Sequence, residues 1–242
     1  MGKLRALDGV TGQPLWSMDA QEYLTRASAH PAIGDIDNDG LNEVVAYSAD
    51  NGILVLNHDG TPKFKTGQIF NPSSYNYSAI TLRDIDGDGF NEILAREKIL
   101  DHNGLLLWSG PEHWNGVTSD AIDLNGDGVL EVFIGSQAFN SNGQLYWANP
   151  QYQSGNVAFG NFDQDESPEI VFVSPTSYVV RLQNADGSII WSAAAPGSGG
   201  GAPTVADFDG DGEPEIAVVF TNYLRVYDSN GEVLWTKTVY EP

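Results

Sequence analysis

A nine-residue acidic segment occurs five times in this chain of 242 residues, and no other feature constrains its fold as strongly. Asp, Asn or Glu occupies positions 1, 3, 5 and 9 of every copy, and glycine occupies position 6 in four copies. Because glycine adopts positive φ without a Cβ clash, position 6 can supply a sharp turn. We number the copies loops 1 to 5: Asp35–Glu43, Asp84–Glu92, Asp123–Glu131, Asn161–Glu169 and Asp207–Glu215.

This arrangement of oxygen atoms predicts calcium-binding loops. Ca²⁺ takes six to eight oxygen ligands from carboxylates, side-chain amides and backbone carbonyls. Positions 1, 3, 5 and 9 would supply side-chain oxygens and position 7 a backbone carbonyl, so we expect four or five bound Ca²⁺ ions. The predicted ligands are Asp35, Asp37, Asp39, Leu41 and Glu43; Asp84, Asp86, Asp88, Phe90 and Glu92; Asp123, Asn125, Asp127, Val129 and Glu131; Asn161, Asp163, Asp165, Ser167 and Glu169; and Asp207, Asp209, Asp211, Glu213 and Glu215.

Two other structures share part of this pattern. Asp, Asn and Gly also favour ordinary turns, but chance turns would not keep four oxygen positions in register five times. An EF-hand needs a bidentate Glu at position 12 and a helix on each side. Here Glu closes each loop at position 9, and β-branched and aromatic runs such as Val44–Tyr47 and Ile170–Val173 follow, which predict strands. The pattern therefore favours calcium loops between strands.

A second repeated signal accompanies the loops. Their first residues are at positions 35, 84, 123, 161 and 207, so the spacings are 49, 39, 38 and 46 residues. Strand-like units with a period in this range are typical of β-propeller blades. In six places a turn glycine, usually after Asp or Asn, precedes an aromatic residue by four positions, as in a β-hairpin. These pairs are Gly12 and Trp16, Gly60 and Phe64, Gly104 and Trp108, Gly143 and Trp147, Gly187 and Trp191, and Gly231 and Trp235.

Together the two signals predict an all-β fold, a β-propeller of four-stranded antiparallel blades. Each blade would run strand A, acidic loop, strand B, strand C, glycine turn and strand D, and the strand D aromatic would pack between neighbouring blades. We expect residues 1–242 to form one propeller domain or segment with about five complete blades and an extra hairpin. The expected blades are 31–66, 79–110, 119–149, 157–193 and 203–237, and the hairpin is 4–17. Either an excised segment of a larger protein or a compact ring of five or six blades agrees with this count.

The loops and hairpins resemble the calcium-binding FG-GAP and VCBS repeats of integrin α-chain propellers and bacterial secreted proteins. The resemblance extends from Leu4 to Trp235 and is most specific in the acidic loops. The Phe-Gly and Gly-Ala-Pro signatures that name the family do not repeat, and the single Gly201–Pro203 precedes a loop instead of following one. The sequence is therefore more similar to the bacterial VCBS type, and integrin partners are not implied.

Charge and composition restrict the function. The chain has 33 acidic and 11 basic residues, for a formal charge of −22, and 18 of the acids occupy positions 1, 3, 5 and 9 of the loops. Nucleic-acid binding is disfavoured, because no basic patch could replace the phosphate counterions. Absence of cysteine together with many calcium loops predicts an extracellular or periplasmic location. No apolar stretch resembles a signal peptide or a membrane span, so we expect any export signal to lie outside this sequence.

Strand alternation predicts where a ligand would bind. The acidic loops and glycine turns would share one face, and longer, variable segments rich in aromatic and amide groups would form the opposite face, as is typical of binding loops on a rigid scaffold. The candidate ligand-binding residues are Tyr75, Tyr77, His113, Trp114 and Tyr152. We expect a calcium-stabilised extracellular adhesion module that recognises a glycan or a protein through this face. The alternatives are the propeller domain of a calcium-dependent polysaccharide lyase or hydrolase, and a purely architectural segment.

No catalytic residue is predicted. General acid–base catalysis needs a positioned pair of groups with tuned pKa values, and the four histidines do not form a recurring constellation. The sequence also contains no Gly-x-Ser-x-Gly, His-Glu-x-x-His or cysteine nucleophile. His58 and His102 precede turn glycines, where solvated turn residues are expected.

Loop 4 departs most from the pattern. It begins with neutral Asn161 and carries Glu166 at position 6, where positive φ would cost a non-glycine residue roughly 1 kcal/mol or more. Fewer ligand charges also lower Ca²⁺ affinity. We therefore expect loop 4 to be the weakest site, and loop 3, which has Asn125 but keeps Gly128, to be intermediate.

Overall fold

The computed structural model describes residues 2–26, 29–71, 79–112, 118–149, 155–163 and 165–239. The described residues form 22 strands in one two-stranded and five four-stranded antiparallel sheets, with a short 3₁₀ turn at Gln21–Tyr23. The expected all-β propeller fold, with five four-stranded blades and an extra hairpin, is confirmed. Within the described ranges, no helix has the length and apolar character needed to cross a membrane.

The chain divides into two compact units, and the first comprises residues 1–116. It holds the two-stranded hairpin and two four-stranded sheets. The strands are β1 (Arg5–Leu7), β2 (Pro14–Ser17), β3 (Ala32–Gly34), β4 (Glu43–Tyr47), β5 (Ile53–Leu56), β6 (Pro62–Lys65), β7 (Ile80–Arg83), β8 (Glu92–Ala95), β9 (Lys98–Leu100) and β10 (Leu106–Ser109).

The second unit comprises residues 117–242 and holds three four-stranded sheets. Its strands are β11 (Ser119–Ile122), β12 (Glu131–Ile134), β13 (Gln137–Phe139), β14 (Leu145–Ala148), β15 (Asn156–Gly160), β16 (Glu169–Ser174), β17 (Val179–Gln183), β18 (Ile189–Ala194), β19 (Thr204–Ala206), β20 (Glu215–Val219), β21 (Tyr223–Tyr227) and β22 (Val233–Thr238).

Each four-stranded sheet is a meander in which strands A, B, C and D pair in chain order. Within a unit, the A strands of consecutive sheets contact each other. The B strands of the first four four-stranded sheets, and the C strands paired with them, are mostly buried and rich in apolar residues, as expected of strands covered on both faces. Because neighbouring strands are antiparallel, the acidic A–B loop and the C–D turn lie at the same end of each sheet. We call this the loop end.

Buried side chains of adjacent sheets form the cores. In the first unit, Ile36, Val45, Ile53, Ile80 and Ile93 pack in one cluster, and in the second unit two clusters join the three sheets. Phe70, in the segment that follows β6, belongs to the first cluster and is 5% exposed. Its ring packs edge-on against Tyr47 with centroids 5.3 Å apart. The segment after β6 therefore folds back over the core.

The strand D aromatics join consecutive sheets in the first unit. Trp16 of the hairpin lies against the turn of the next sheet, where its indole Nε1 donates to the His58 carbonyl at 2.9 Å. A Cβ placed on Gly60 would lie 2.6 Å from the Trp16 ring, and one on Gly104 would lie 2.5 Å from the Phe64 ring. Each turn therefore requires glycine for two reasons: the backbone has a positive φ, and an aromatic ring occupies the space that a Cβ would need.

The same junction recurs in the second unit. The indoles of Trp147 and Trp191 donate to the carbonyls of Ala185 and Ser229, each at 2.9 Å. A Cβ on Gly187 would lie 2.8 Å from Trp147, and one on Gly231 would lie 2.7 Å from Trp191. The acceptor always stands two residues before the turn glycine. The prediction that these aromatics pack between neighbouring blades is confirmed at these four junctions.

Candidate metal centres

The glutamate at position 9 of each loop is the first residue of strand B. All five glutamates are at most 2% exposed, although carboxylates are rarely buried without a partner. In every loop, Oε2 accepts a hydrogen bond from the backbone N–H at position 2. The donors and N···O distances are Ile36 at 3.1 Å, Ile85 at 3.0 Å, Leu124 at 2.9 Å, Phe162 at 2.6 Å and Phe208 at 2.6 Å. The sequence predicted these glutamates as ligands but gave no sign of this anchoring bond.

The aspartate at position 1 organises the rest of the loop. In loop 2, Asp84 accepts hydrogen bonds from the N–H groups of Gly87 at 2.8 Å and Gly89 at 3.0 Å. Loops 3 and 5 repeat both bonds, and loop 1 keeps the one from Gly40 at 2.8 Å. The glycines at position 6 have φ between 86° and 93°, as the sequence predicted.

Position 4 also adopts the left-handed conformation, which the sequence analysis missed. Its φ is 60° at Asn38, 78° at Gly87, 75° at Gly126 and 84° at Gly210. Asparagine and glycine tolerate this region best. The recurrence of these two residue types at position 4 was the available signal.

Carboxylates converge in four of the loops. The triads Asp35, Asp37 and Asp39; Asp84, Asp86 and Glu92; Asp163, Asp165 and Glu169; and Asp207, Asp209 and Glu215 each offer oxygens within 4.8 Å of one another. Loop 3 has Asn125 at position 3, whose Oδ1 accepts from the Asp127 N–H at 2.9 Å. Oxygens gathered from side chains around one tight turn match the donor set of a hard cation, and these clusters could hold metal ions.

Burial and the charge of neighbouring aspartates raise the pKa of three of these glutamates. Burial raises the pKa of Glu92 to about 7; the Ile85 N–H opposes this, and the charges of Asp86, Asp88 and Asp84 add to it. Burial also raises the pKa of Glu131 and of Glu169. An ionised carboxylate in such a place is destabilising unless an opposite charge is present. A bound cation would supply that charge.

Loop 1 already contains a cation from its own blade. Lys63 on β6 forms an ion pair with Asp37, and its Nζ lies 3.6 Å from Oε1 of Glu43. Burial alone would lower the pKa of Lys63, but the Asp37 hydrogen bond and the charge of Glu43 outweigh it and raise the pKa. At the same place in the other four-stranded sheets, three residues after the turn glycine, stand Leu107, Tyr146, Ile190 and Leu234.

We expect Lys63→Leu to tighten Ca²⁺ binding at loop 1 by about tenfold, roughly 1.4 kcal/mol, because the ion would no longer displace the ammonium group. The Gly40 amide resonance, followed by NMR during a Ca²⁺ titration, reports on this loop alone. Lys65→Leu, two residues along the same strand, is the matched control and should leave the loop 1 affinity unchanged. Unchanged affinity in the Lys63 variant would show that the lysine does not compete with the ion.

Loop 4 has a different backbone from the others. Asn161 donates through Nδ2 to the Asp165 carbonyl at 2.7 Å, so its amide is engaged within the loop. The described non-glycine residues with positive φ are Asn38, Asn51, Arg96 and Tyr178, and Glu166 is not among them. Glu166 therefore does not adopt the left-handed conformation, and the strain predicted for it is avoided. In the other four loops that conformation directs the position 6 N–H toward the aspartate at position 1.

We expect loop 4 to bind Ca²⁺ at least tenfold more weakly than loop 2. Loop 4 has one ligand charge fewer, and its position 6 lacks the positive φ that the glycine of loop 2 has. The double substitution Asn161→Asp with Glu166→Gly should recover most of that difference. Amide resonances of Ser167 and Phe90 would report on the two loops in one titration. Equal affinity of the wild-type loops would contradict the prediction, and Glu166→Gln serves as a control that removes charge without restoring glycine.

The candidate ligand-binding residues Tyr75, Tyr77, His113, Trp114 and Tyr152 all lie outside the described residues. Three histidines lie among the described residues, and one of them, His30, is exposed. His58 is exposed in its turn, as expected. His102 stacks on Phe90 of loop 2 with ring centroids 4.4 Å apart.

Comparison with known families agrees with this geometry. The profile of the FG-GAP-like repeat matches residues 28–95 and 161–218, which together are just over half of the chain. The chain belongs to the FG-GAP-like repeat family. Both matched FG-GAP-like segments contain acidic loops flanked by strands A and B, so the family pattern and the carboxylate clusters coincide. No curated protein matched the chain in sequence.

Several solved structures share the fold of this FG-GAP-like chain. The V. cholerae biofilm matrix protein Bap1 is 25% identical, with a TM-score of 0.68 over 98% of this chain and 54% of Bap1. The exotype rhamnogalacturonan lyase YesX is 19% identical, with a TM-score of 0.62 over 99% of this chain and 46% of the lyase. For the rhamnogalacturonan lyase YesW the values are 15% and 0.55, over 95% and 64%. The chain thus spans roughly half to two thirds of these proteins, and the lyases show the fold alone.

Proposed function

We propose that this chain is a calcium-stabilised extracellular binding module of the adhesion type, which recognises a glycan or a protein through the end of its blades opposite the loop end. The observation that carries the proposal is the separation of the two ends. Every acidic loop lies at the loop end, where it joins strands A and B. Metal sites that repeat with the blade stabilise a scaffold, and the opposite end is left for a ligand.

Calcium is the ion that the loop residues suit best. The predicted donors are carboxylate, amide and carbonyl oxygens, and the loops contain no thiolate or imidazole ligand. Such a flexible oxygen cage favours Ca²⁺ over Mg²⁺, which demands a smaller octahedral shell. In this proposal the position 9 glutamates and the aspartates at positions 1, 3 and 5 hold the ion, and the ion neutralises their charge.

A cleft of about 310 Å³ lies at the opposite end of the first four-stranded sheet. Lys65 lines it, with its Nζ 2.9 Å from Oδ2 of Asp50 and 2.9 Å from the carbonyl of Glu22. Gln21, Leu24 and Ala49 complete the wall. Paired charges and an amide beside apolar surface suit a hydroxyl-rich ligand such as a sugar.

Similarity to Bap1, a biofilm matrix protein, supports the adhesion role and the extracellular location, because it extends over 98% of this chain. The lyase neighbours provide the competing function. At 15–19% identity they support only the shared fold, so catalysis is treated as an outcome of the test.

A glycan array screened with Ca²⁺ and again with excess chelator tests the proposal. We expect binding that requires Ca²⁺ and that weakens at least tenfold in Lys65→Met, while Lys237→Met on exposed β22 binds normally. Both variants should keep the wild-type melting temperature in Ca²⁺. Release of shortened or unsaturated sugar products from a hit would instead identify a lyase or hydrolase, and absence of any carbohydrate or matrix-protein binding would favour an architectural segment.

A further inference from the structure

A side chain of loop 2 is hydrogen-bonded to the backbone of loop 1. Asn91, at position 8 of loop 2, donates from Nδ2 to the carbonyl of Asp35, the first residue of loop 1, at 2.7 Å. The two residues are 56 positions apart in the sequence but belong to the same compact unit. Asn91 is half-buried, whereas Asn42, at position 8 of loop 1, is exposed.

The two loops are also close to each other away from this bond. A Cβ placed on Gly89, at position 6 of loop 2, would lie 4.0 Å from Nδ2 of Asn38 in loop 1. A Cβ on Gly34, the last residue of β3, would lie 3.0 Å from Cδ1 of Leu82 on β7. Strands β3 and β7, which lead into the two loops, contact each other. The bond from Asn91 is therefore part of the packing between two neighbouring sheets.

Both ends of the bond lie beside predicted metal ligands. Asn91 stands between Phe90 and Glu92, the predicted position 7 carbonyl and position 9 carboxylate of loop 2. Asp35 is the predicted position 1 ligand of loop 1, and its carboxylate also accepts from the Gly40 N–H at 2.8 Å. The bond thus joins the residue that organises loop 1 to the segment with which loop 2 would close on an ion.

We propose that Asn91 is a positioning residue for the calcium site of loop 1 and couples the two loops, so that an ion bound in one raises the affinity of the other. This inference rests on the proposed calcium binding. An ion in loop 2 would fix the backbone on both sides of Asn91, and the fixed amide would hold Asp35 in place for the second ion. A site that is already ordered loses less conformational freedom on binding, so it binds more tightly. By linkage, an ion in loop 1 has the same effect on loop 2.

The side chains around the two loops set the order in which they fill. Each loop has four carboxylates at its ligand positions, but in loop 1 Lys63 pairs with Asp37 and an ion must displace it. The equivalent place in the second four-stranded sheet holds Leu107. Loop 2 should therefore fill first and prepare loop 1. Repulsion between the two ions opposes the coupling, and at 150 mM salt a Debye length of about 8 Å limits that repulsion.

Position 8 distinguishes this pair from the other loops. Leu130, Pro168 and Pro214 occupy it in loops 3, 4 and 5, and none of these side chains can donate a hydrogen bond. The equivalent bond cannot form there, so coupling by this route is confined to loops 1 and 2.

A Ca²⁺ titration of the full chain in 150 mM NaCl, followed by NMR, tests the proposal. The amide resonances of Gly40 and Gly89 report on loops 1 and 2 separately. Asp86→Asn combined with Asp88→Asn should empty loop 2, because it removes two ligand charges while the amide oxygens still accept from the backbone N–H groups at positions 5 and 7. We expect this double variant to weaken Ca²⁺ binding at loop 1 about fivefold.

Asn91→Leu, which introduces the residue that loop 3 has at this position, should weaken loop 1 by the same factor. Emptying loop 2 in this variant should then have no further effect on loop 1, because the connection is already lost. Asn42→Leu, the same change at position 8 of loop 1, is the matched control and should keep the wild-type coupling. Circular dichroism establishes that each variant is folded, and Asn91→Ala replaces Asn91→Leu if the latter is not.

Three results would overturn the proposal. Emptying loop 2 could leave the loop 1 affinity of the otherwise wild-type chain unchanged, or it could increase that affinity. Alternatively, the Asn91 variant could still show the fivefold effect, which is what a residue that serves only the fold would give. Absence of any response to Ca²⁺ at both Gly40 and Gly89 would refute the calcium sites themselves, so that failure of the proposed function is distinguishable from failure of the coupling.

Discussion

Removal of Ca²⁺ should lower the melting temperature of this protein by about 20 °C or more. A ligand at one hundred times its dissociation constant stabilises the folded state by about 2.7 kcal/mol per site. Four such sites, at 2–4 °C per kcal/mol for a chain of this size, give a shift of this order. Without the ion, each carboxylate triad holds like charges within 4.8 Å, which is repulsive. Scanning calorimetry in CaCl₂ and in excess chelator measures the difference.

Adding Mg²⁺ to the chelated protein is the control, and it should restore little of the loss because its six-coordinate shell fits these loops poorly. The first compact unit holds loops 1 and 2, and the second holds loops 3 to 5. If the two units unfold in separate thermal transitions, chelation should lower the melting temperature of both. An unchanged melting temperature in chelator would show that the loops are not metal sites.

Glu92→Gln should raise the melting temperature of the metal-free protein and lower that of the Ca²⁺-bound protein. The raised pKa of Glu92, about 7, means that the metal-free folded state binds a proton more tightly than the unfolded chain does. Metal-free stability therefore falls as pH rises from about 5 to 8, by up to about 3 kcal/mol from this group. Glutamine still accepts from the Ile85 N–H but carries no charge. In chelator at pH 8 the variant should melt about 5–10 °C higher than the wild type.

In saturating Ca²⁺ the same variant should melt lower than the wild type, because loop 2 loses a ligand charge. Melting curves from pH 5 to 8, with and without chelator, give all four combinations. Glu232→Gln, an exposed acid in a C–D turn, is the control and should change neither curve. If Glu92→Gln keeps the wild-type pH dependence in chelator, burial of this carboxylate is not what destabilises the metal-free protein.

The repeating parts of this structure were predictable because they follow local rules. A glycine four residues before an aromatic residue predicted each hairpin, and oxygen-bearing side chains at positions 1, 3, 5 and 9 predicted each loop. Residues such as Gly128 and Trp191 occupy the predicted places because one chemical requirement acts on each blade in the same way. Repetition turned weak local signals into a strong one.

The departures depend on contacts that are distant in sequence. Lys63 forms an ion pair with Asp37, which is 26 residues away in sequence. No local sequence pattern predicts that a strand D side chain will contact an acidic loop. Phe70 joins the core because of how its segment folds back, which composition alone does not specify. Glu166, unlike the glycine at position 6 of the other loops, has no positive φ, so the backbone of loop 4 differs there.

The blade junction also bears on how such a protein evolves. At three junctions the indole of one blade meets a glycine and a backbone carbonyl of the next, and neither depends on side-chain identity beyond the absence of a Cβ. A gene duplication that copied one blade would reproduce the complete interface at both of its boundaries. The number of repeats is therefore free to vary between descendants, while the surfaces at the ends of the blades diverge independently.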